Sequence, residues 1–195
     1  MTTYSFVSVP KKGSNAGRPK GKRPYVILFD WKDVATYTRD EKGVKVSDFA
    51  LKAGAHPIAV YATDSTIKAY HTSEGDDDAR GYIHHVEFEH PGTSLEFDEF
   101  TNNNINSNLG AILIGCDNTL AKIFGTPSTP LKMVKSDSDD SKDSDKNIIN
   151  LATTLRTGTT GYMDKSLVPS TDDAGINSEL GLPTPPPPAE KASGL

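Results

Sequence analysis

Along most of this chain, short runs of β-branched and aromatic residues alternate with clusters of Gly, Pro, Asp and Ser, a rhythm of strands and turns that leaves little room for long helices. YSFVSV (4–9) and YVILFDW (25–31) flank a basic segment and read as neighbouring strands. VATYT (34–38) and GVKVSDF (43–49) enclose Arg39-Asp40-Glu41-Lys42-Gly43, where Gly supplies the positive φ of a tight turn, and predict a hairpin. PIAVYAT (57–63) and TIKAYHT (66–72) bracket Asp64-Ser65 and predict another, followed by the polar loop SEGDDDARG (73–81). PLKMV (130–134) and NIINLATTL (147–155) read as strands on either side of an acidic loop.

The pair GYIHHVEFEH (81–90) and SLEFDEF (94–100) meets across Pro91-Gly92. Alternate residues of a strand face opposite sides, so Val86 and Phe88 share one face while Glu87 and Glu89 share the other. Leu95 and Phe97 oppose Glu96 and Asp98 in the same way. Pairing the apolar faces predicts a reverse side of four carboxylates, Glu87, Glu89, Glu96 and Asp98, whose mutual repulsion costs the sheet stability. His85 lies on that side too, and the set could bind a divalent cation, but an exposed acidic face needs no ligand and the spacing matches no established motif. No metal site is assigned. His84 is expected on the opposite side with Val86, and His56 and His71 as ordinary surface or partly buried histidines.

Over 108–124 the pattern changes. Leu109, Ile112, Leu113, Cys116, Leu120 and Ile123 recur at spacings of three or four, which predicts a helix ended by Gly125 and Pro127. Gly110 and Gly115 count against it by about 1 kcal/mol each, so a strand LGAILIG followed by a short helix from Thr119 stays open. On the helical reading Cys116 is a buried, inert thiol.

Charge is divided by position. Residues 1–29 hold Lys11, Lys12, Arg18, Lys20, Lys22 and Arg23 and no acid, while the rest of the chain carries 15 basic against 26 acidic residues. Three stretches are too polar or Pro-rich to pack: 10–24, 135–146 and 164–195. The expected organisation is one β-rich domain over 1–163, with the basic arm and the acidic loop inserted, and a Pro-rich flexible tail over 164–195. The expected fold class is mainly β: an antiparallel β-sandwich or barrel with one flanking α-helix and long extended arms.

Several chemistries are excluded. One Cys cannot form an internal disulfide or a Cys-based zinc finger. The chain has no Gly-x-Ser-x-Gly elbow, phosphate-binding glycine loop or His-Glu-x-x-His helix. DSDDSKDSD (137–145) lacks the Gly and Glu positions of an EF-hand loop. Asp30, Trp31 and Asp33 are explained by a strand-end turn. No catalytic residue and no cofactor is therefore expected. No run of signal-peptide or membrane-span character appears, which predicts a soluble protein without a membrane anchor.

GRPKGKRP (17–24) resembles an AT-hook that lacks the first arginine of its core, and the six cations between residues 11 and 23 would contact phosphates through counterion release. The other reading is that the arm binds an acidic surface on a neighbouring copy, since the other 166 residues, with a charge of -11, would oppose the approach of DNA.

Taken by element order, HHVEFEHPGTSLEFDEF (84–100), LGAILIGCDNTLAKIFGTP (109–127) and NIINLATTLRTGTTGY (147–162) resemble the tail tube proteins of tailed bacteriophages. The resemblance implies a virion protein, assembled in the host cytoplasm, whose copies form stacked hexameric rings joined by extended loops and contact other tail proteins. It also implies that genomic DNA passes through a lumen, which the four carboxylates would line and keep from sticking. A DNA-associated protein using the arm, or a capsid-decoration β-sandwich, are the alternatives.

Overall fold

YVILFD and LGAILI are apolar on both faces, and both become strands enclosed on both sides. The computed structural model describes residues 7–14, 17–117 and 119–184. Its strands are β1 (Tyr25–Asp30), β2 (Val34–Arg39), β3 (Lys45–Leu51), β4 (Ile58–Tyr61), β5 (Lys68–Glu74), β6 (Gly81–Pro91), β7 (Leu109–Ile114), β8 (Leu120–Phe124), β9 (Leu131–Asp140), β10 (Asp145–Thr153) and β11 (Gly161–Asp164). Two helices, α1 (Leu95–Asn104) and α2 (Ala174–Leu180), accompany them. The strands bond in two runs, β4-β1-β7-β8-β11-β3-β2 and β9-β10-β6-β5, antiparallel throughout except for β11 beside β3. One pair, Leu109 with Leu131, joins the runs where the chain turns the corner through Gly125.

Two apolar layers follow from this arrangement. Val26, Leu28, Ala111, Leu113 and Phe124 of the longer run meet Val86, Phe88, Ile149 and Leu151 of the shorter one. The alternate residues Ile27, Phe29, Ile112, Ile114 and Ile123 face the other way and are covered by Val168, Leu180 and Leu182. The architecture is thus a mainly β sandwich with a flanking helix, as the strand rhythm predicts.

Gly110 sits opposite Phe29 in the β1–β7 ladder, and the ring lies where a side chain would start: a Cβ there would fall inside its van der Waals envelope. Gly110→Ala is therefore expected to cost about 1–3 kcal/mol through overpacking, read as a lower melting temperature. Pairing it with Phe29→Leu should recover part of the loss, and an unchanged melting temperature would show that the ring has room to move.

Several local expectations are corrected. Residues 108–124 form β7 and β8 instead of a helix: burial on both faces removes the alternation that marks a strand and leaves an apolar run that mimics a helical stripe. Of the open alternative, the strand is found and the short helix from Thr119 is not. Residues 95–100 belong to α1, whose first turn Ser94 caps by accepting a hydrogen bond from the Phe97 N–H at 3.2 Å. β4 and β5 do not form a hairpin with each other; β4 pairs with β1 and β5 with β6, with a 3₁₀ turn at Asp64–Thr66 carrying the chain between the runs. β1 takes β4 and β7 as neighbours, not 4–9, of which residues 7–9 form no strand and the rest lie outside the described residues.

The acidic loop 135–146 is mostly ladder, with β9 and β10 paired out to Asp140 and Asp145. The domain also runs past residue 163. Leu180 and Leu182 fill the second apolar layer, and the buried Asn177 side chain accepts from the Thr171 N–H at 2.8 Å and donates to the Thr171 carbonyl at 2.9 Å. The proline run 185–188 and the residues after it lie outside the described residues. Among the described residues no helix is long and apolar enough to cross a membrane.

Candidate assembly surfaces

From His84 onward β6 alternates as expected: His84, Val86 and Phe88 are buried, and His85, Glu87 and Glu89 face outward, while Ile83, on the outward parity, is also buried. The predicted wall of four carboxylates does not form, because Glu96 and Asp98 stand exposed in the first turn of α1, where they favour the helix N-terminus. The two glutamates that remain are matched. Glu87 accepts from the Tyr70 hydroxyl at 2.7 Å and lies directly across from Lys68. That hydrogen bond also raises the Tyr70 pKa. Glu89 pairs with Lys146 at 3.2 Å, and His85 stacks on the Tyr70 ring at 4.7 Å. The outer face of the shorter run is mixed in charge.

The six cations of the arm divide into two groups. Lys20 pairs with Asp117 at 3.3 Å, Gly21 accepts from the Cys116 N–H at 3.0 Å, Lys22 bridges to Gly115, and the Arg23 N–H donates to the Ile114 carbonyl at 2.9 Å. This stretch anchors the arm beside the end of β7. Cys116, expected to be buried, is exposed here because its segment is a turn after a strand. Lys11, Lys12 and Arg18 lie beyond the anchor on exposed chain, with Val7 71% and Val9 93% accessible.

The negative counterpart is the β9–β10 ribbon. From residue 134 to 143 every side chain is exposed, and the register sets Asp140 opposite Asp145, a like-charge pair that costs stability. β9 pairs with β10 along its length and with β7 only at Leu131, so its other edge is an open strand edge carrying Asp137, which pairs with Lys135 at 2.7 Å, and Asp139, which lies across from Lys146. Charge on an open edge discourages uncharged strands from adding to it. A basic extended segment would meet no such repulsion.

Two further features go beyond what alternation assigns: the hydrogen bonding of the inward-facing His84, and a groove. His84 is wholly buried; its Nδ1 accepts from the Gly125 N–H at 3.0 Å and its Nε2 lies 2.8 Å from the Gly158 carbonyl, an arrangement that requires the neutral ring with its proton on Nε2. Burial lowers its pKa to about 4. The second is an aromatic groove of about 410 Å³ along β4, with Tyr25, Tyr61, Phe97, Phe100, Ile58 and Ile176 among its walls. Its sequence signal was the Ser94 cap with Phe97 and Phe100 one helical turn apart, which the strand reading of 94–100 hid.

Comparison of the chain with protein-family models, with curated proteins and with solved structures finds no significant match.

Proposed function

We propose that this chain is a structural virion protein, a tail tube subunit whose copies form hexameric rings that stack around a passage for genomic DNA and meet other tail proteins at the ends. One observation carries the reading. A β-sandwich projects two elements of opposite charge: the basic segment before Lys20, whose Lys11, Lys12 and Arg18 make no ion pair among the described residues, and the open acidic edge of β9, where Lys135 pairs with Asp137 at 2.7 Å and Lys146 lies across from Asp139 but Asp140 faces Asp145 at the tip. An exposed arm with bare valines and a ribbon tip that sets Asp140 against Asp145 are each costly for a lone subunit, and pairing the arm of one copy with the ribbon of the next offsets both costs. Such a contact is head-to-tail, and head-to-tail contacts close into rings or extend into tubes. The conduit does not rest on the four carboxylates named from sequence. Acidic charge for its wall is available in the exposed 74–78 loop instead.

Neutralising Lys11, Lys12 and Arg18 with Gln tests the reading. Each exposed ion pair is worth about 0.2–1 kcal/mol, so self-association should weaken by about tenfold at low salt, with a smaller difference at high salt where screening already weakens the wild type. Sedimentation at two salt concentrations measures the loss, and negative-stain microscopy of the wild type should show rings or tubes. Monomers at every concentration would overturn the proposal. Unchanged association together with lost retention on duplex DNA would move the arm to a DNA-binding role, which its Arg18-Pro19 core favours.

A further inference from the structure

The aromatic groove along β4 matches the chemistry of a segment of this same chain. Its floor is the buried Phe97, on which His90 stacks at 4.5 Å, and its walls are the edge-to-face pair Tyr25 and Tyr61 at 5.6 Å together with Phe100 and Ile176. Tyr61 keeps 43% of its surface exposed, so the wall is open to a ligand. Aromatic-lined grooves of this kind bind proline-rich segments, because a polyproline II strand is already ordered before binding and its rings pack flat on aromatic faces. Residues 185–188 are four consecutive prolines.

Position supports the match. Leu182 is the last residue packed in the second apolar layer, and the partly buried rim of that layer includes Tyr25, Ala59 and Ile176, all of which line the groove. Pro183 and Thr184 then emerge exposed. At about 3.1 Å per residue, the prolines begin about 9 Å beyond Leu182. We propose that residues 185–188 seat in the β4 groove of their own chain as a polyproline II strand. The site is independent of the tail tube reading and holds whether or not the chain forms rings.

The test uses the full chain labelled with 3-fluorotyrosine, with Cys116→Ser and a spin label on Ala189→Cys. Fluorine resonances of Tyr25 and Tyr61, assigned by their Phe variants, should be about tenfold weaker than in the reduced, diamagnetic sample, while those of Tyr70 and Tyr162 keep their intensity. Replacing Pro185, Pro186, Pro187 and Pro188 with Ser preserves the tether and should restore the Tyr25 and Tyr61 signals. Equal quenching with the serine tail would show that tethering alone brings the label near, and overturns the proposal. Quenching no stronger than at Tyr70 also overturns it. A mixture of spin-labelled chains with separately fluorinated chains reports exchange: quenching there and only there would put a second copy's tail in the groove and overturn the assignment to the same chain.

Discussion

Leu180→Ala is expected to destabilise the protein by about 2–5 kcal/mol. Leu180 is 1% exposed and closes the second apolar layer over Ile112, Ile114 and Ile123 together with Val168 and Leu182. α2 is held in place to do this: Asp173 accepts from the Ile176 N–H at 2.9 Å at one end, and Gly181 takes the left-handed conformation at the other, with φ 62°. A seven-residue helix has little stability of its own, so its order depends on the face it buries. Urea unfolding should show a lower midpoint with an unchanged slope. The control is Leu155→Ala, at a side chain 64% exposed, which should lie within about 0.5 kcal/mol of wild type. A Leu180 variant as stable as that control would mean that the segment after residue 164 lies loosely on the sandwich.

Lowering the pH from 7 to 4 should remove about 3 kcal/mol through His84 alone, at about 1.4 kcal/mol per unit of pKa shift. The folded-state value of about 4 lies below the ordinary 6.5, first because the ring is buried, with the positive field of Arg39 adding to it. Between those two pH values the unfolded chain binds a proton that the folded chain refuses. Stability is therefore complete above about pH 6.5, falls as the pH drops through the window, and levels off below about 4. Protonation would put a proton on Nδ1, which faces the Gly125 N–H as its acceptor, and so would loosen the corner where β8 passes to β9. His84→Gln should be less stable at pH 7 and nearly flat between pH 6.5 and 5. Equal slopes for the two proteins in that range would assign the acid sensitivity to other groups.

Alternation was the most dependable signal. β6 has one neighbouring strand on each edge and one buried face, so period two marks His84, Val86 and Phe88 as inner and His85, Glu87 and Glu89 as outer without any knowledge of the partners. The β2–β3 hairpin was legible for a similar reason: its turn chemistry is local, with Gly43 at φ 70° and the Asp40 carboxylate accepting from the Val44 N–H at 2.8 Å. In the candidate surfaces, the division into a basic arm and an acidic segment was visible from residue types, since charge is a property of composition. Which cations were free was not visible: Lys20, Lys22 and Arg23 are tied to Asp117, Gly115 and Ile114, contacts made across about a hundred residues of chain.

Long-range burial decided the rest. β7 lost its period because α2 and the segment around it cover the face that solvent would otherwise mark with polar residues. The Glu87–Glu89 side proved mixed in charge because register brings Lys68 and Lys146 beside it, and register depends on which strands pair. Residues 95–104 became a helix because the Ser94 cap and the packing of Phe97 into the first layer outweighed a four-residue alternation. The amino-acid sequence by itself determined the β-rich class, the inward and outward sides of singly covered strands, and the separation of charge between arm and ribbon. Tertiary structure alone decided which strands are covered twice, which carboxylates meet cations, and where the aromatic groove opens, because each depends on groups brought together from distant parts of the chain.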